Sequence, residues 1–259
     1  MKLRHLSSNV LIGASAVLFG TAHPAAAGNV APVMAATPST VTTDSVAPAV
    51  GFFATRAKAA LAALSSNVRR LSDPHALEDA FHSYFAFKSA HPGEVKKPYL
   101  YFVDYGLPST SPRGYVFDMD ALRLVDGPFT VAHGRGSAPA GATIPTRFSN
   151  AIGSAATSLG LYLADATYGF VGTSGGRSYH SIGLRLDGVS EGFNDNALAR
   201  KVVAHGAPYV TATKAGRSEG CPAMDQARAQ RLLPKLANGG MVFLFAPDSK
   251  WLAGDPWLG

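Results

Sequence analysis

The sequence predicts a mainly β fold, a sandwich or barrel preceded by a helical extension, and three observations carry that prediction. After Lys97 the chain breaks into short β-rich segments separated by glycine-containing turns. Before that point, apolar residues recur at helical spacing. The composition is that of a globule. At 259 residues, 47% hydrophobic and 15% charged, the chain is too apolar to be disordered and long enough for one sizeable core. Its 27 glycines and 17 prolines follow no fixed period, which excludes collagen and repeat arrays.

The first segment reads as an address. Lys2, Arg4 and His5 open it, an apolar stretch of about 11 residues follows from Val10 to Gly20, and Pro24-Ala25-Ala26-Ala27-Gly28 closes it. This is the layout of a secretory signal over 1–27, cleaved after Ala27. The stretch is well short of the roughly 20 residues of a membrane-spanning helix, and no cysteine stands at the cleavage point for a lipid. The expectation is a periplasmic protein with no stable membrane anchor. Losing Lys2 and Arg4 with the signal lowers the net charge from +6 to +4, enough for mild attraction to an anionic surface. No basic run exceeds a pair, so nucleic acid is not an expected partner.

Residues 28–50, rich in Ala, Pro, Thr, Ser and Val, read as a flexible linker. A helical extension over 51–97 follows. Ala57, Ala60, Leu61, Leu64, Val68 and Leu71 set out one amphipathic helix. A second is capped by Asp73, carries Pro74 at its first position and stops before Pro92. Its stripe of Leu77, Phe81, Tyr84 and Phe85 is expected to pack on the next domain, 98–259. Strands are expected at Tyr99–Val103, Tyr115–Met119, Leu122–Val125, Phe129–His133, Ile182–Leu186, Lys201–His205 and Met241–Phe245.

Cys221 is the sole cysteine. A lone thiol is a liability in an oxidising compartment, which marks it as a candidate nucleophile. It lies in a polar turn, Gly216-Arg217-Ser218-Glu219-Gly220-Cys221-Pro222, ahead of the helical stretch Ala223–Leu233. With Pro222 at the first helical position, Cys221 is expected at the cap, where the helix dipole lowers a thiol's pKa. Such a nucleophile needs a histidine base. Two candidates end identical tetrapeptides, Val131-Ala132-His133-Gly134 and Val203-Ala204-His205-Gly206, and the residues alone do not choose between them. His180, in a polar stretch, is expected in a surface loop.

A resemblance chooses. Val203-Ala204-His205-Gly206 followed by Ser218-Glu219-Gly220-Cys221, with fifteen residues between His205 and Cys221, resembles the signature of the YkuD-type L,D-transpeptidases. Phe148-Ser149-Asn150, Ser158–Tyr162, Gly183–Gly188, Gly192–Ala197 and Gly216–Ala223 are similar to the divergent branch known as the murein L,D-transpeptidase catalytic domain. The resemblance covers about 98–247 and implies that family's sandwich- or barrel-like fold. It implies Cys221 as nucleophile and His205 as base, with no metal or other cofactor. Peptidoglycan stem peptides are the implied partners and carbapenem-type compounds the implied inhibitors.

In the implied reaction Cys221 attacks a stem carbonyl, the N–H groups of Gly220 and Cys221 hold the oxyanion, and a diaminopimelate amine resolves the thioester into a cross-link. Pro222-Ala223 and Asn194-Asp195-Asn196 tilt the donor toward the L-alanine carbonyl at the first stem position. Two positions depart from the pattern: Glu219 replaces the usual histidine, and Ala223 the usual arginine. Arg217 is the candidate stand-in for the latter, and Ser218 a candidate to orient His205 or the turn. Competing readings are a cysteine peptidase hydrolysing stems, a sortase-like enzyme, and a non-catalytic wall-binding domain. Trp251 and Trp257 are expected to pack rather than stack on sugars.

Overall fold

The computed structural model describes residues 47–259. The expected signal and most of the expected linker lie outside the described residues. Helix α1 (Ala47–Leu64) begins four residues inside that linker. Pro48 is compatible with a first turn, where a backbone N–H has no partner in any case. A short 3-10 turn follows, and α2 (Ala76–Ala90) starts three residues past the expected cap. Asp73 instead closes the turn before it, accepting from His75 N–H at 2.8 Å.

Ten strands follow: β1 (Tyr99–Asp104), β2 (Gly114–Asp118), β3 (Arg123–Phe129), β4 (His133–Gly134), β5 (Gly160–Ser174), β6 (Arg177–Gly188), β7 (Val203–Gly206), β8 (Arg217–Ser218), β9 (Ala223–Met224) and β10 (Met241–Phe245). Helix α3 (Gln226–Leu236) lies between β9 and β10, and α4 (Ser249–Leu252) comes last. Eight strands form one mixed sheet in the order β3-β2-β1-β10-β5-β6-β7-β9, while β4 pairs with β8. β1–β10 and β7–β9 are parallel, and the other pairs of the large sheet are antiparallel. Just beyond β3, Ala132 bridges to Ala223 on β9, so the two edges of the sheet curl toward each other. The fold is mainly β, as expected.

Two expectations are corrected and one strand is added. The expected strand Phe129–His133 splits: Phe129 ends β3, and only His133–Gly134 form β4. β5, the longest strand, escapes the pattern because Gly160, Gly169 and Gly172 interrupt its apolar residues. His180 lies in β6, exposed, rather than in a loop.

The helices share the sheet's core. Phe81 of α2 meets Phe117 of β2 edge to face at 5.4 Å, so the aromatic stripe packs as its spacing predicts. Trp251 is buried with its indole N–H on Asp255, and the Trp257 indole donates to Val189 O. Among the described residues, no helix is long and apolar enough to cross a membrane.

Candidate active site

Strand pairing brings the candidate residues together. His205 on β7 faces Ala223 on β9 in parallel register, which sets Cys221, two residues earlier, opposite Val203. The backbone confirms that placement: His205 N–H donates to Pro222 O at 3.2 Å, and Val203 N–H reaches Cys221 Sγ at 3.5 Å. A cleft of about 310 Å³ contains both the cysteine and the histidine. Tyr168, Phe170 and Tyr179 of the β5–β6 hairpin wall it on one side, with Tyr209 also lining it.

A close approach behind β7 depends on Gly206. A Cβ there would lie 2.8 Å from the Ala229 Cβ and 3.0 Å from the Gln226 Cα, so only glycine lets α3 seat against the strand beside His205. In front, Ser218 Oγ accepts from Gly220 N–H at 3.2 Å and donates to Cys221 O at 2.7 Å, closing the turn that carries the thiol. Gly220 sits at φ +123°, and a Cβ there would meet Ala156 O at 2.8 Å. Glycine is therefore required by the backbone and by the wall behind it.

His205 Nδ1 lies 3.1 Å from the Gly206 carbonyl oxygen, which can only accept. Nδ1 therefore carries the proton and Nε2 keeps its lone pair, the tautomer a general base needs. The ring is held edge-on by Phe170 at 5.5 Å and Tyr209 at 6.4 Å. Burial pushes its pKa below the ordinary 6.5, so the imidazole is neutral at pH 7.

The cysteine's surroundings differ from expectation. Residues 223–224 pair with β7 as a strand, so α3 starts only at Gln226, with Asp225 as its cap accepting from Arg228 N–H at 2.9 Å. Cys221 thus lies outside the helix terminus, and no dipole lowers its pKa. Burial pushes the thiol above 9, Glu219 adds to the rise, and the Val203 N–H and Arg200 oppose it. The thiol is half-buried and sits 3.9 Å from Lys201 O, an acceptor that suits S–H. Lys201 holds that carbonyl from a left-handed φ of +56°. The resting pair is accordingly a neutral thiol and a neutral imidazole.

The remaining candidates are placed as follows. Arg217 lines the cleft, but its guanidinium donates to the carbonyls of Ala138, Pro139 and Ala142 at 2.5–2.6 Å. It ties down the 138–142 loop and is not free to hold a substrate carboxylate. Ser218 serves the turn and makes no bond to His205. Gly220 N–H is occupied by Ser218, whereas Cys221 N–H has no acceptor among the described residues, which reduces the expected oxyanion pair to one open amide. His133 is fully buried, receives Arg113 Nη2–H on Nδ1 at 3.0 Å, and is pushed down to a pKa of about 3, chiefly by burial.

Arg200 is a residue that sequence reasoning missed. It donates to Ser149 O, Ser158 Oγ, Ser154 Oγ and Ala156 O, and so braces the wall on which Gly220 rests. No pattern marks it; the one available signal is its place in the turn just before the histidine strand.

The sequence matches the model of the L,D-transpeptidase catalytic domain over residues 69–245. The chain belongs to that family. An L,D-transpeptidase from Mycobacterium smegmatis is similar at 15% identity and TM-score 0.36, over 57% of this chain and 59% of that one. One from Stackebrandtia nassauensis shows 16% identity and TM-score 0.35, over 74% and 90%. The carbamoyl enzyme of Ldtfm with avibactam shows 12% identity and TM-score 0.33, over 59% and 49%. This L,D-transpeptidase domain thus spans about three-fifths of the length of the M. smegmatis protein. Comparison with curated proteins gives no match.

Proposed function

We propose that the chain is a periplasmic peptidoglycan L,D-transpeptidase that carries an acyl group on Cys221 between two stem peptides. The observation that supports this most is the shared cleft, with Cys221 opposite Val203 and His205 held by Gly206 O in the tautomer of a base. As Sγ attacks the donor carbonyl, its proton passes to His205 Nε2 and the oxyanion takes Cys221 N–H. His205 then protonates the leaving amine, and a thioester remains. A diaminopimelate amine on a second stem attacks the thioester, and the C–N bond forms as C–S breaks. The donor carbonyl is that of L-alanine at the first stem position. Carbapenem-type compounds acylate the same sulfur.

The test is mass spectrometry of digested walls from cells with the wild-type protein, Cys221→Ala, or neither. A linked stem pair joined from L-alanine to diaminopimelate, present only with the wild type, is the expected result. Shortened stems without new links would identify a peptidase instead. Walls identical in all three would overturn the reading.

A further inference from the structure

Resting on the transpeptidase reading, we infer that Arg135 and Glu219 form the acceptor subsite, recognising the zwitterionic end of diaminopimelate. Among the described residues lining the cleft, the formally charged side chains are Arg217 and Glu219. Arg217 is consumed by three backbone carbonyls. Ionic recognition in the cleft therefore falls to Glu219 and to its partner Arg135, whose Nε lies 2.7 Å from Glu219 Oε1.

The pair is exposed on both sides, and such a surface bridge contributes little to stability. It is also unnecessary for holding the segments together, since β4 and β8 already pair at His133↔Arg217 and Gly134↔Ser218. Only Arg135 Nε and Glu219 Oε1 are engaged. Among the described residues, the two terminal nitrogens of Arg135 and Glu219 Oε2 have no hydrogen-bond partner. What remains is an open fork of donors beside an open acceptor, two residues from the nucleophile.

The free end of a diaminopimelate side chain has that chemistry, with an ammonium and a carboxylate on one carbon. Its carboxylate fits the Arg135 fork and its ammonium fits Glu219. The incoming ammonium sheds one proton to water before attack. Its nitrogen then bonds the thioester carbon as the C–S bond breaks. The second proton travels through His205 to the departing Cys221 sulfur, leaving an amide and a restored thiol.

The test uses the purified full chain with a fixed donor stem and two acceptors: a diaminopimelate stem, and the same stem with the side-chain carboxyl amidated. Thioester formation is read separately by intact mass. The wild type should favour the carboxylate acceptor at least 10-fold in KM, and Arg135→Gln should bring that ratio close to 1. Glu219→Gln should raise KM for both acceptors. A wild type indifferent to amidation, or an unchanged preference in Arg135→Gln, would overturn the subsite while leaving the transpeptidase standing. Failure of the wild type to form the thioester at all would overturn the transpeptidase reading instead.

Discussion

Val131–Gly134 and Val203–Gly206 are the same four residues, yet the structure makes one histidine structural and leaves the other available for chemistry. His133 is enclosed beside Arg113, a fully buried cation whose other donors go to Val131 O and Leu107 O and whose face lies on Tyr105. Because Nδ1 of His133 accepts from Arg113, its proton is on Nε2, a buried N–H without a partner among the described residues. His205 has the opposite tautomer, set by Gly206 O, and opens on the cleft. Local sequence cannot distinguish the two. What separates them is a residue two strands away and the identity of the strand alongside, β8 for His133 and β9 for His205.

Substitution should separate the twins most widely. His205→Ala is expected to slow thioester formation by about 10²–10⁴-fold, the usual contribution of a positioned base, with little change in melting temperature. His133→Ala should do the reverse, costing about 2–4 kcal/mol in chemical unfolding because Arg113 loses a buried partner, with the folded protein still acylating. Equal kinetic losses in both would erase the distinction.

Acid should act through His133. Its pKa is about 3 when folded against 6.5 ordinarily, so between those values the unfolded chain binds the extra proton. Its contribution to stability is complete above pH 6.5 and declines as the pH falls toward 3. Denaturant titrations of wild type and His133→Gln across that window should converge at the acid end. Parallel curves would contradict the assignment.

At the cleft, the neutral resting pair predicts that alkylation of Cys221 by iodoacetamide accelerates through a midpoint above pH 9. A midpoint below 7 would show an ion pair. The smallest expected effect is at the turn. Ser218→Ala removes two hydrogen bonds and leaves the buried Gly220 N–H without its acceptor, and should lower stability by about 1–2 kcal/mol in a thermal melt.

Strands with clean alternation or continuous apolar runs were legible in the sequence, and β10 matches its expected limits, Met241–Phe245. β5 was hidden by its glycines, and β8 and β9, at two residues each, are too short for any period to show. That brevity matters at the site. Reading Pro222 as a helix start required missing β9, and the error reversed the direction of the thiol's pKa. Asp225, a strong cap residue followed by Arg228, was the available signal for the later start. The pairing of Cys221 with His205 rather than His133 came from the family resemblance, since it depends on a parallel register that no local pattern encodes. Arg200 depends on tertiary contacts alone, and in the sequence Glu219 stands out only as a departure from the family pattern.

The account rests on an acyl group carried by Cys221 under the control of His205. Intact-mass spectrometry of the purified chain mixed with a donor stem peptide tests this most directly. The prediction is a mass increase of one acyl unit on Cys221 that is absent in Cys221→Ala, at least 100-fold slower in His205→Ala, and preserved in His133→Gln. A wild-type protein that gains no mass, or one whose adduct forms equally fast without His205, would contradict it.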